Sequence, residues 1–435
     1  MKVDVKRAGR GFRYALEPER GDPREARRSF ADSPDALRLV RREYRVELPP
    51  AFTGIHPDAH AAAVWHALRP FVKSRLRLPF AVSGGFAREM RDLHGVAIEP
   101  VSRRQPPRRP PGKVVPALLF SGGMDSMAAS ILLPRRAHHL FLDRIPHRES
   151  CPGADALVDL ERQRQACACV RRAGSPVHAT ADDHEHLFSP YPAWHSNMAL
   201  LSALYMADSL GLSVVDQGEV LDAICFQGYY AGRVSSWRMR PMRARPLRSG
   251  PPDLRDFLAA AGLARANCIA GLSEVATTAI VARSRRRGRS YSCYYASGGS
   301  FCMRCDKCFK KLLLRHIADG REVPEELFER FLSVPRLAAV FRRPYLDWHH
   351  VWYYLFQNLR CRHWFARELS RQARAGPDLS ALEKWYPKAI AELEPQYAGE
   401  VLSAIQERVG VMTDREAAAL EAVEVPPLRA PALRA

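Results

Sequence analysis

An apolar run of strand length, Val114 to Phe120, breaks off at Ser121-Gly122-Gly123-Met124-Asp125-Ser126 and is followed by small and apolar residues to Leu133. Strand, glycine turn and helix in that order are the local design of a phosphate-binding loop. Gly122 and Gly123 can adopt backbone angles closed to other residues and let anionic oxygens approach the main chain. Ser121 and Ser126 add hydroxyls, and the helix aims free N–H groups and its positive dipole end at the same point. The Gly-Lys-Ser/Thr ending of kinase-like and GTPase-like loops is absent, which excludes that reading of the turn. Two other Ser-Gly-Gly copies lack the Asp-Ser ending. Ser83-Gly84-Gly85 runs into Phe86-Ala87-Arg88 and reads as an ordinary turn, and Ser297-Gly298-Gly299 lies inside a cysteine cluster.

Around this turn the chain of 435 residues divides into two or three domains. Residues 1–102 have mixed α+β character, with a strand at Tyr44–Leu48, a helix over 57–76 and short strands about a helix at 86–93. The Pro/Arg-rich stretch 103–112 forbids regular structure and reads as a solvated linker. From 113 to 320, strands at 114–120, 138–143, 176–180 and 212–215 alternate with helices at 154–172 and 198–210, the latter capped by Ser196 or Asn197 and closed by Gly211. Such alternation predicts an α/β fold, a parallel sheet covered on both faces, with ligands beyond the carboxyl ends of its strands. The Ser121 turn, Asp143 and the Asp216–Glu219 turn all fall at such ends. Residues 321–424 read as helices. The aromatic-rich one from Leu346 is buried or an interface, with His349 and His350 packed, and 425–435 reads as a disordered tail.

Hydrophobic residues at 47% and charged residues at 26% are those of a globular chain with a real core. No apolar signal segment opens the chain and no stretch is long enough to cross a bilayer, so the expectation is a cytoplasmic protein with no membrane partner and ten reduced cysteines. The formal charge of +19 has two readings: a polyanionic partner such as tRNA or DNA, or an arginine-rich genomic bias. Local clusters stand at Arg103–Arg109, Arg238–Arg248 and Arg283–Arg289.

The second motif is Cys293, Cys302, Cys305 and Cys308, spaced C-x8-C-x2-C-x2-C. Four thiolates this close converge on one tetrahedral zinc, a closed and therefore structural site, with Arg304, Lys307, Lys310 and Lys311 offsetting its negative charge. An iron–sulfur cluster or metal-free thiols would use the same residues. The other cysteines read as buried thiols. His184, His186 and His195 are either a second metal site or unconnected.

The Ser-Gly-Gly-x-Asp-Ser loop resembles the PP-loop ATP pyrophosphatase superfamily. Together with Ser292-Cys293-Tyr294 and the Cys-x2-Cys-x2-Cys run it is similar to one branch, the 7-cyano-7-deazaguanine synthases or QueC-like proteins, over about residues 113–315. The resemblance implies a doubly wound, adenine nucleotide alpha hydrolase-like sheet with a zinc knuckle. It also implies ATP, Mg²⁺ and Zn²⁺, and an enzyme that adenylates a small carboxylate, of 7-deazaguanine type, for nitrogen transfer from ammonia or another amine. Phe120 to Ser126, Asp143 and Gly218 would bind nucleotide, with Asp125 and Ser126 catalytic. Asp125 either places Mg²⁺ and orients the loop or caps the helix. Asp222 and Glu219 are either magnesium or substrate ligands or plain surface or turn acids, and Tyr229, Tyr230 and Trp237 are either stacking platforms or core. The chain is longer than that family, and its segment from Cys225 matches only in Gly228-Tyr229, so the reaction type carries over further than the substrate. The alternative is a PP-loop enzyme modifying tRNA or a protein terminus, in a defence or secondary-metabolite pathway. A homodimer is compatible with either.

Overall fold

The computed structural model describes residues 1–26, 36–144, 160–189, 198–226, 254–290, 303, 305–335, 337, 341 and 349–429. Its strands are β1 (Lys2–Ala8), β2 (Gly11–Glu17), β3 (Glu25–Ala26), β4 (Leu37–Leu39), β5 (Glu43–Glu47), β6 (Arg75–Ser83), β7 (Ala97–Ser102), β8 (Pro116–Leu119), β9 (His138–Arg144), β10 (Val177–Asp182), β11 (Phe188–Ser189), β12 (Val214–Asp216) and β13 (Ala264–Ala266). Its helices are α1 (Pro57–Leu68), α2 (Gly84–His94), α3 (Met124–Leu132), α4 (Leu160–Arg172), α5 (Leu200–Met206), α6 (Leu254–Ala260), α7 (Glu274–Ala282), α8 (Asp306–Ala318), α9 (Glu325–Leu332), α10 (His349–Asn358), α11 (Trp364–Arg374), α12 (Ala398–Gln406) and α13 (Asp414–Ala422).

Mixed α/β architecture follows from one large, mostly parallel sheet in the order β13-β12-β8-β9-β10-β5-β2-β1-β6-β7. From β13 to β10 every pairing is parallel. Counting from β8, this half reads third, second, first, fourth, fifth when taken from β10 to β13. The order reverses between β8 and β12, a switch point that opens a crevice at the strands' carboxyl ends. The parallel strands bury both faces. Leu118, Phe120 and Phe141 pack with α3, α4, α7 and the C-terminal helices. Ala117, Leu140, Leu142 and Val215 point the other way, into a core shared with α1, α5, α6 and the N-terminal strands. Alternation along each strand sends neighbours to opposite faces, so both cores are set by the same few residues.

The N-terminal part is not set apart from this sheet. β5 pairs antiparallel with β10, aligning Val46 with Asp182, and carries the sheet into the β1–β2 hairpin. The stretch 103–112 holds no strand or helix, as its prolines require. Its arginines are not all solvated, however. Arg108 is buried, with Nε on Asp208 at 2.8 Å and Nη2 on the Leu212 carbonyl at 3.0 Å. A guanidinium donates in a fixed fork, and here the fork ties the stretch to the loops after α5 and α6.

The helical reading of 321–424 holds for α9 to α13, and His349 and His350 in α10 are buried as expected. The tail differs from expectation. Val425 and Leu428 are buried, and the Pro426 carbonyl lies 2.7 Å from His349 Nε2, so residues 425–429 are packed. Apolar side chains at 425 and 428 outweigh the prolines beside them. No helix among the described residues is long and apolar enough to cross a membrane.

Candidate functional site

Gly122 of the Ser121 turn is required by geometry, whereas Gly123, expected to need angles closed to other residues, has φ −71° and ψ 170°, extended backbone that any residue adopts. Gly122 has φ +76°, and a Cβ there would stand 3.1 Å from Ala166 Cβ on α4. Gly123 is the N-cap of α3 and has no side chain with which to cap it. Ser121 is exposed. Its hydroxyl lies 3.2 Å from that of Ser126 and accepts from the Gly123 N–H at 3.3 Å. The Ser126 hydroxyl also donates to the Gly123 carbonyl at 3.1 Å, and Gln163 of α4 donates to the Ser121 carbonyl at 3.1 Å. The turn is thus tied together by its own small groups and by Gln163. Phe120 and Met124 are buried beneath it and act as packing.

The Ser83 copy shows what a filled turn looks like. It too joins a strand, β6, to a helix, α2. There the buried Asp58 carboxylate accepts from Ser83 N at 2.8 Å, Ser83 Oγ at 2.7 Å and Arg108 N at 3.2 Å. The anion that such a helix N-terminus attracts is supplied by the protein itself. Among the described residues no carboxylate bonds to Ser121.

The switch point brings the predicted residues together. A Cβ at Gly218, beyond β12, would lie 3.4 Å from Ser126 Cα, which puts the Asp216–Glu219 turn against the first turn of α3. Asp143, ending β9, is held by Arg164 at 2.9 Å, one residue after Gln163. Asp125 faces neither the N–H groups nor a cap. Its Oδ1 accepts from the Thr277 hydroxyl of α7 at 2.7 Å and from Lys311 Nζ of α8 at 3.1 Å. Lys311 is fully buried and also meets Glu274 at 2.8 Å, while Lys310 takes the other Glu274 oxygen at 2.6 Å. Burial alone would lower Lys311, but Asp125 and Glu274 override it and hold the ammonium above its ordinary pKa. Burial likewise opposes the Glu274 charge, and the two lysines reverse this and hold it well below the usual carboxylate range.

Lys310 and Lys311 pair with Glu274, and Lys311 also with Asp125. One expectation is corrected here. Asp222 is no surface acid: it is completely buried, accepts from the Glu274 N–H and contacts His350 Nε2 of α10. Glu219 lies 3.4 Å from Arg265. Asp216, at the end of β12, is held up at about 6 by burial, partly offset by the Cys268 N–H at 3.0 Å. Gln163, Thr277 and Glu274 escaped the sequence reading because no motif marks them; only the fold brings Gln163 to the turn and Thr277 and Glu274 to the Asp125–Lys311 network.

Of the four clustered cysteines, Cys305 and Cys308 are described and both are buried. Cys305 is the N-cap of α8 and its sulfur accepts from the Cys308 N–H at 3.4 Å. An i, i+3 sulfur pair on a helix's first turn suits a thiolate metal site, where the N-terminus also stabilises thiolate. Cys293 and Cys302 lie outside the described residues, as do His195, Ser196, Asn197, Tyr229, Tyr230, Trp237 and the cluster Arg238–Arg248. Among the described residues no three His, Cys, Asp or Glu side chains form a metal-binding group. His184 and His186 are buried in a 3₁₀ turn after β10, where His184 Nδ1 contacts Asp182.

Residues 253–424 match a family of unknown function (DUF6395). The match covers less than half the chain. It takes in α7, α8 and α10, hence Glu274, Thr277, Lys311 and His350, but not the Ser121 turn. No curated protein and no solved structure matches the chain.

Proposed function

We propose that the crevice between β8 and β12 binds ATP and that the protein is a PP-loop ATP pyrophosphatase of 7-cyano-7-deazaguanine synthase type, adenylating a small carboxylate for nitrogen transfer. The observation that carries this reading is the Ser121 turn itself. It sits at the strand-order reversal, with Ser121 exposed, Gly122 in the left-handed conformation and the Gly218 turn packed against Ser126. A doubly wound sheet of adenine nucleotide alpha hydrolase type is supported by the strand order and by helices on both faces.

A carboxylate is a poor electrophile because its oxygen leaves badly. Attack of that oxygen on the α-phosphorus of ATP forms a new P–O bond and breaks the α–β bridge, giving an acyl adenylate and pyrophosphate. An amine then displaces AMP. Ser121, Gly122, Gly123 and Ser126 would hold the departing pyrophosphate through main-chain N–H groups and hydroxyls, stabilising charge as it develops. Gln163 holds the turn's carbonyl out of the way, and Lys311 fixes Asp125 and so the start of α3. Mg²⁺ would neutralise phosphate charge, with Asp125 and Asp143 as candidate ligands. A structural zinc would take Cys305 and Cys308 with Cys293 and Cys302.

The test is nucleotide analysis after incubation with ATP, Mg²⁺, ammonia and a panel of carboxylates including a carboxylated 7-deazaguanine. AMP and pyrophosphate in equal amounts, lost in Ser126→Ala with the fold intact, are expected. ADP and phosphate, or no nucleotide binding by folded protein, would overturn the assignment.

A further inference from the structure

We propose that the outer face of α11, together with the loop before it, binds a single strand of nucleic acid through its phosphates. An open groove of about 620 Å³ is lined by Arg360, Arg362, Arg367, Arg371 and Arg374. These residues belong to none of the basic clusters visible as runs in the sequence. The helix gathers them: positions 367, 371 and 374 fall on one face, stepping about 6 and about 4.5 Å along the axis at 1.5 Å per residue. Trp364, one turn earlier, is 42% exposed, an unusual state for so large an apolar ring.

Charge in the groove is left over after its own pairs are made. Glu322 meets Arg362 at 3.1 Å and Glu368 meets Arg371 at 2.7 Å. Arg374 Nε reaches only the Gln357 carbonyl, and among the described residues no carboxylate stands within ion-pair distance of Arg360 or Arg367. The packed tail brings a further cation alongside, since Arg429 is exposed and its main chain pairs with Gln372 in both directions at 2.9 Å.

The arrangement favours a nucleic-acid strand over other polyanions. Guanidinium forks match phosphate oxygens, and an exposed indole at the end of an arginine row offers a base a stacking platform. A membrane surface fits less well. The apolar face of α11, through Phe365, Leu369 and Ala373, is already buried in the core, which leaves no hydrophobic face to enter lipid. The site is separate from the Ser121 turn and rests on none of its residues.

The experiment is fluorescence anisotropy of the full chain with labelled single-stranded oligouridylate and oligothymidylate across a salt series. Affinity should fall with salt at a logarithmic slope of about 0.7 per phosphate contact. The variant Arg367→Ala/Arg371→Ala/Arg374→Ala should lose at least tenfold in affinity at low salt and about 2 from the slope. Trp364→Ala should weaken binding about tenfold with the slope unchanged. Equal binding of both strands supports recognition of phosphates alone; preference for the ribo strand supports an added 2′-hydroxyl contact. A wild-type slope shallower than one contact, an unchanged slope in the triple variant, or tighter binding of polyglutamate or anionic vesicles would overturn the proposal. All three arginines are exposed, and circular dichroism checks that the variant is folded; the wild-type slope stands as a test regardless.

Discussion

Removing Lys311 tests how α3 is held. Its ammonium is fully buried between Asp125 at 3.1 Å and Glu274 at 2.8 Å. At an effective dielectric of about 20, each contact is worth about 5 kcal/mol of Coulomb energy before desolvation is subtracted. Lys311→Met leaves Glu274 with Lys310 as its remaining partner, and leaves Asp125 to rehydrate, since it is about a quarter exposed. The expected loss of stability is therefore about 3 to 5 kcal/mol, the range for breaking one side of a buried ion pair. Asp125→Asn keeps an oxygen for the Thr277 hydroxyl and leaves Lys311 on Glu274, so about 1 to 2 kcal/mol is expected. The two changes remove the same contact, and the double variant should be less destabilised than the sum by about 1 to 3 kcal/mol. Urea unfolding followed by tryptophan fluorescence reads all three. Because α3 begins at the Ser121 turn, Lys311→Met should also weaken ATP binding. Additivity of the two changes to within about 0.5 kcal/mol would refute the idea that this pair ties the loop helix to α8.

Two further tests address the site's surroundings. Asp216 titrates at about 6 in the fold against an ordinary 3.8, so the folded state binds the proton more tightly and loses stability as pH rises between those values. Asp216→Asn should then stabilise by about 3 kcal/mol at pH 8 and by about a third of that at pH 4.5, and an equal gain at both would refute the assignment. The buried His60 and His139, lowered by burial to about 3 and about 4, act oppositely: their contribution is complete above their ordinary 6.5 and is lost as pH falls toward those values. For the cysteines, Cys305→Ser should lower both zinc content and thermal stability, and metal analysis showing unchanged stoichiometry would reject the cluster.

Strand–turn–helix at Ser121, the alternation from 113 onward and the helical C-terminal region were legible in the amino-acid sequence because each rests on local rules: periodicity of apolar residues, glycine conformations and caps. The same local rules placed Asp143 and the Asp216–Glu219 turn at strand ends. What local rules could not reach is who meets whom. Asp125 reads as a helix-start acid, yet its partners come from α7 and α8, more than 150 residues away. Ser83 and Ser121 begin identical tripeptides. One is bonded by Asp58, 25 residues earlier in the chain, and in the other the Ser121 hydroxyl meets Ser126 and the Gly123 N–H. The arginines at 360–374 look scattered in the sequence and become a row only when helix pitch and the buried face of α11 turn them outward. Long-range pairing is decided by which packing buries the most apolar surface while leaving no charge alone, and that is a property of the whole fold.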